Sequence, residues 1–153
     1  MKPVIAFFGY KDSGKTMYIE RLVRRLNEMG IKVGVIKHIH HGDFEVDKEG
    51  KDTWRFSMAG AAAVSGVSPT QLYMNIRLGG YPDIDELIGF IAKYVDIILV
   101  EGMKFILADR SDIYKILVGE FPDRDIFPPI LGRIRGVEDL ERITRRIIGL
   151  IHE

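Results

Sequence analysis

The residues able to do chemistry begin with Gly9-Tyr10-Lys11-Asp12-Ser13-Gly14-Lys15-Thr16. Their spacing is G-x-x-x-x-G-K-[ST], the Walker A or P-loop pattern. Gly9 and Gly14 carry no Cβ, so the chain can fold back and aim successive N–H groups at phosphate oxygens. A helix opening near Gly14 would add its unsatisfied N–H groups and the positive end of its dipole. Lys15 can reach β- and γ-phosphates as a point charge, and the Thr16 hydroxyl can sit on Mg²⁺. The run from Gly9 to Thr16, followed by Met17, is therefore the candidate nucleotide-binding segment.

Glu101 is the second candidate. It ends the short apolar run Ile97-Ile98-Leu99-Val100, and a carboxylate at the tip of a strand beside the phosphate loop is placed to meet Mg²⁺ or its waters. Direct ligation, ligation through water and polarisation of a nucleophile all remain open. Lys15 and Glu101 are thus the candidate catalytic pair, and Thr16 and Glu101 the candidate metal ligands. His38, His40 and His41 have three readings: donors beside phosphates, polar loop residues, or ligands of a transition metal. Asp47, Lys51 and Asp52 would line the site if their segment folds over it, and otherwise start a solvated helix.

These groups need elements to hold them. Pro3 to Phe8 is an apolar run read as a buried strand, and the helix after the loop runs to about Met29. Ile19, Leu22, Val23 and Leu26 form its inner face. Ile31 to Lys37 reads as a strand, His38 to Asp47 as a loop, and Lys48 to Met58 as a short helix capped by Asp47. Ala61 to Val67 reads as a small-residue buried strand and Gln71 to Arg77 as an alternating one. Asp83 with Glu86 signals a helix start. Ile113 to Val118 suggests a strand, Pro128 to Gly132 an extended turn, and Val137 to Ile151 a helix. The alternation predicts an α/β fold, a three-layer sandwich of the P-loop NTPase type around a mostly parallel sheet, with residues 1–153 as a single nucleotide-binding domain.

Composition bounds the partners. Lys plus Arg equals Asp plus Glu at 22 each in 153 residues, so a broad electrostatic grip on nucleic acid or an anionic membrane is not expected. There are no cysteines, which excludes disulfides and thiolate metal sites. The first apolar run is too short for a signal segment or a membrane span, and the expected location is the cytoplasm. Asn27 and Asn75 are the only asparagines and neither precedes a lysine, so no Asn-Lys-x-Asp motif is present to select guanine.

GYKDSGKT (Gly9 to Thr16), KHIHHGDFEVDKEGKDTWRFSMAGA (Lys37 to Ala61), LVEGMK (Leu99 to Lys104) and PPILGR (Pro128 to Arg133) together resemble the molybdopterin-guanine dinucleotide biosynthesis protein B, or MobB, family. The resemblance spans essentially the whole chain. It implies a dimeric GTP-binding protein that hydrolyses GTP weakly with Mg²⁺. It further implies assistance to a MobA-like molybdenum cofactor guanylyltransferase as that enzyme attaches GMP to molybdopterin. Carried over by residue, Gly9 to Thr16 would hold the phosphates, Thr16 and Glu101 would serve Mg²⁺, and the segment from His38 to Asp52 would line the site. Met17 departs from the second threonine common there. Two other readings stand beside this one: a small-molecule kinase, with Arg133-Ile134-Arg135-Gly136 as its lid, and a binding module whose loop holds an anion for structure.

Overall fold

The computed structural model describes residues 1–42 and 44–153 of the chain, so the loop expected over 38–47 is described except at Asp43. The described residues form two compact units, 1–38 with 85–153, and 39–84.

The first unit is an α/β layer structure built on five parallel strands: β1 (Val4–Phe8), β2 (Val33–Lys37), β5 (Ile97–Glu101), β6 (Tyr114–Val118) and β7 (Ile130–Ile134), in the order β2-β5-β1-β6-β7. A parallel sheet is covered on both faces, so its central strands are continuous apolar runs. Every residue of β1 and β5 is buried, including Ala6 and Ile98 on one face and Phe7 and Leu99 on the other. The Phe7 face packs against helix α1 (Lys15–Glu28) through Tyr18, Ile19, Leu22 and Leu26 and against helix α5 (Leu140–Ile151) through Ile143 and Ile147. Each such side chain gains about 1.5–3 kcal/mol from burial, which fixes the first turn of α1 against the end of β1. Val23 packs only partly against this core, and the Tyr18 ring is buried beside Gly14 of the loop. Helix α1 stops as expected, with Gly30 at φ +80 after Met29. Helix α3 (Ile84–Ile91) leads towards β5, and Gly34 of β2 has no room for a side chain beside Ile91 and Val95.

Lys115 interrupts the apolar run of β6 and is fully buried. Its ammonium donates to the carbonyls of Arg110 and Pro128. Burial pushes its pKa below the ordinary lysine value, while Asp112 and Asp109 oppose that shift.

Three expectations are corrected. Residues Pro128 to Gly132 are not only a turn: Pro129 accepts from Lys115 N at 3.0 Å, and Ile130–Ile134 continues as β7. Gly132 at φ +155 and a register shift between Lys115 and Ile116 let the strand follow the two prolines. The short helix begins at Asp52, not Lys48 (α2, Asp52–Met58), because Gly50 turns the chain at φ +87. Asp47 is accordingly no helix cap; its Oδ1 accepts from Lys48 N at 2.9 Å and closes a local turn.

The third correction concerns β3 (Ala63–Val67), which lies in the second unit, where it pairs antiparallel with β4 (Leu72–Ile76). It is not the buried strand expected. A two-stranded sheet covers one face only, so Val64 is buried while Ala63, Ser65 and Val67 are exposed. Its covered side meets α2 at Gly66, whose nearest neighbours are Tyr73 and Thr53.

Candidate phosphate and metal site

In a parallel sheet all strands end on one edge, where ligands of such sheets sit. Here Phe8, Lys37, Glu101, Val118 and Ile134 end there together. Register decides the rest. Phe7 pairs with Glu101, and Glu101 with Lys37. Because side chains alternate with a period of two, Glu101 shares the face of Ile97 and Leu99, the face covered by α1. Its carboxylate is therefore turned towards the first turn of that helix. Thr16 Oγ1 donates to Glu101 Oε1 at 2.9 Å, and Lys37 Nζ lies 3.1 Å from the same oxygen. Glu101 is only 8% exposed.

The Gly9–Thr16 loop is wound tightly. Ser13 N donates to Tyr10 O at 3.2 Å, Asp12 is at φ +59 and Gly14 at φ +93. A Cβ on Gly9 would lie 2.7 Å from Ser13 Oγ and 3.0 Å from Val118 Cβ, so only glycine fits. Lys15 Nζ folds over its own loop and donates to Gly9 O at 2.5 Å and Tyr10 O at 3.2 Å. Burial holds the Lys15 ammonium below its ordinary pKa; Glu101 opposes this, and the repulsion of Lys37 adds to it. The first turn of α1 carries no acidic residue and Gly14 offers no side-chain cap, which leaves its N–H groups to an anion. Ser13 Oγ is buried with no hydrogen-bond partner among the described residues.

Buried polar atoms are rarely left unpaired. An orphaned hydroxyl, uncapped helix N–H groups and a lysine laid over the same loop are what an oxyanion would satisfy. A hydroxyl and one carboxylate oxygen meeting at Thr16 and Glu101 suit Mg²⁺, which is held by one or two protein oxygens with phosphates and waters completing the octahedron. Among the described residues no group of three His, Asp or Glu side chains could hold a metal ion.

His38 lies at this edge: its N–H donates to Glu101 O at 3.0 Å, and its ring centroid is 5.3 Å from that of Phe105. His40, His41, Asp47, Lys51 and Asp52 belong to the 39–84 unit. Asp52 opens α2, and Asp47 Oδ2 is buried with no hydrogen-bond partner among the described residues. Lys37, Phe121 and Lys104 went unnoticed in the sequence. The Phe121 ring lies tilted, its centroid 5.1 Å from that of Tyr10 of the loop, and Lys104 Nζ sits 5.4 Å from the Phe121 ring. The lid offered for a kinase does not exist as one. Arg133 lies in β7 with NH1 donating to Gly119 O and Phe121 O, both at 2.7 Å; Ile134 is fully buried, and Arg135 pairs with Glu120.

The model of the family described as molybdopterin guanine dinucleotide synthesis protein B, MobB, matches residues 4–124. The chain belongs to the MobB family. Among its relatives, the molybdopterin-guanine dinucleotide biosynthesis adapter protein of Haemophilus influenzae is 38% identical over 117 residues, 76% of this chain and 62% of that protein. The Escherichia coli protein of the same name is 38% identical over 124 residues, 77% of this chain and 66% of its own length. The chain thus spans a little under two thirds of these MobB relatives. A solved structure of molybdopterin-guanine biosynthesis protein B superposes with a TM-score of 0.69 at 25% identity, covering 98% of this chain and 99% of that one. The matched span, residues 4–124, contains Gly9–Thr16, Lys37 and Glu101. Among the described residues no helix is long and apolar enough to cross a membrane.

Proposed function

We propose that this chain is a GTP- and Mg²⁺-binding adapter of the MobB type, acting in the cytoplasm beside a MobA-like molybdenum cofactor guanylyltransferase that converts molybdopterin to its guanine dinucleotide form. The observation that carries the reading is the meeting of Thr16 Oγ1 and Glu101 Oε1 at 2.9 Å, beside a loop across which Lys15 is folded. In this reading the backbone N–H groups of Gly14, Lys15 and Thr16, the Lys15 ammonium and the Ser13 hydroxyl would hold the phosphates. Thr16 and Glu101 would hold Mg²⁺, which would supply charge neutralisation at the terminal phosphates. Glu101 also orients the attacking water. Intrinsic hydrolysis is slow unless a partner or the second subunit supplies an arginine, because Arg133 is held by Gly119 O and Phe121 O and an arginine finger supplies much of the rate in fast GTPases. The sequence match to proteins named adapters of this pathway supports the choice of partner.

A homodimer is part of the proposal. Ala63, Ser65 and Val67 stand opposite Ile76, Met74 and Leu72, all exposed, which gives the β3–β4 hairpin an apolar face suited to self-association. Sedimentation that returns only a monomer would remove this part. For the nucleotide site, calorimetric titration of GTP with Mg²⁺ should give one binding event per chain, abolished by Lys15→Ala. Unchanged affinity in that variant would refute the assignment.

A further inference from the structure

The Lys37 ammonium lies on the Glu101 carboxylate, and the Lys15 ammonium is folded over the loop beside it. Lys37 is held there by register, at the last residue of β2 opposite Glu101, with Nζ 3.1 Å from the oxygen that also accepts from Thr16. Its charge is felt at Lys15. With two lysines and one carboxylate at this edge the charge balance is positive, which an anion of more than one negative charge would offset. A divalent cation at Thr16 and Glu101 repels an ammonium only about 3 Å from its own ligand oxygen. Lys37 can yield: its side chain is 55% exposed on a flexible four-carbon stem.

We propose that Lys37 is a second phosphate-binding cation, which donates to the terminal phosphate of a bound nucleoside triphosphate and fills the place of the missing arginine finger. This rests on the nucleotide reading above and deepens it. A purely structural Lys37, one that only steadies the Glu101 rotamer, would not distinguish a triphosphate from a diphosphate. A lysine on the terminal phosphate must.

The test is equilibrium binding of fluorescent GTP and GDP in Mg²⁺ to wild type, Lys37→Met, the milder Lys37→Gln, and Lys37→Arg. A charge-assisted contact confined to the triphosphate predicts a loss of roughly ten- to a hundredfold for GTP. For GDP the loss should stay below about threefold, and Lys37→Arg should restore most of the GTP affinity. Equal losses for GTP and GDP, or no loss for GTP, would overturn the proposal while leaving the nucleotide site standing. Wild type that binds neither nucleotide would overturn both.

Discussion

Removing the Ser13 hydroxyl should make the protein more stable and a poorer nucleotide binder at once. The oxygen is buried in the loop without a partner among the described residues, and an unsatisfied buried hydroxyl costs about 1–3 kcal/mol. Ser13→Ala removes that cost and leaves a void worth a few tenths of a kcal/mol, on the order of a small cavity. The net gain is about 1 kcal/mol, which raises Tm by roughly 2–4 °C in a chain of this size. With nucleotide bound the sign reverses. The wild-type hydroxyl then donates to a charged phosphate oxygen, a contact of about 1.5–3 kcal/mol, so the variant should bind GTP roughly ten- to a hundredfold more weakly. Scanning calorimetry with and without GTP and Mg²⁺ reads both effects. The variant should melt higher alone and show the smaller ligand-induced rise. A lower Tm without nucleotide, or an undiminished rise with it, would refute the idea that this hydroxyl is reserved for a ligand.

Other outcomes follow from local geometry. Gly14→Ala places a Cβ 3.0 Å from Tyr18 Cε2 at φ +93; the left-handed backbone alone costs about 1–2 kcal/mol, so Tm should drop by roughly 2–8 °C, and an unchanged melt would contradict the strain. Arg110 holds the Asp112 carboxyl below its ordinary value of 3.8, through Asp112 Oδ1 at 2.9 Å from Nε. A carboxyl with a depressed folded pKa contributes stability that is complete above the unfolded value and fades as pH falls through the folded one. Asp112→Asn should therefore flatten the loss of stability below about pH 4, measured by denaturant melts from pH 2 to 7; an unaltered acid limb would count against the pair.

The site was legible where chemistry restricts residue type. A tight loop that no Cβ can enter leaves glycine at 9, and a strand buried on both faces leaves Ile97 to Val100 apolar, so the carboxylate ending it stood out. Lys37 was not legible, since a lysine after Val33-Gly34-Val35-Ile36 reads as a solvated strand end. Only the register Lys37↔Glu101 sets it against the carboxylate. Strand β7 was hidden by Pro128, Pro129 and Gly132, whose types signal a turn. A bulge and a positive φ, both tertiary matters, make the strand. Lys115 interrupts the run from Ile113 to Val118 that reads as a strand, and two backbone carbonyls pair it in the interior. The small residues of β3 suggested close packing, whereas the hairpin covers only one of its faces.

The central claim is that Thr16 and Glu101, meeting at 2.9 Å, join a divalent cation to a nucleotide held by the Gly9–Thr16 loop. GTP affinity measured in Mg²⁺ and in EDTA for wild type, Thr16→Val and Glu101→Gln tests it most directly. Mg²⁺ should strengthen binding at least tenfold in wild type, about 1.4 kcal/mol, and hardly at all in either variant. Equal enhancement in all three proteins, or none in wild type, would contradict the account.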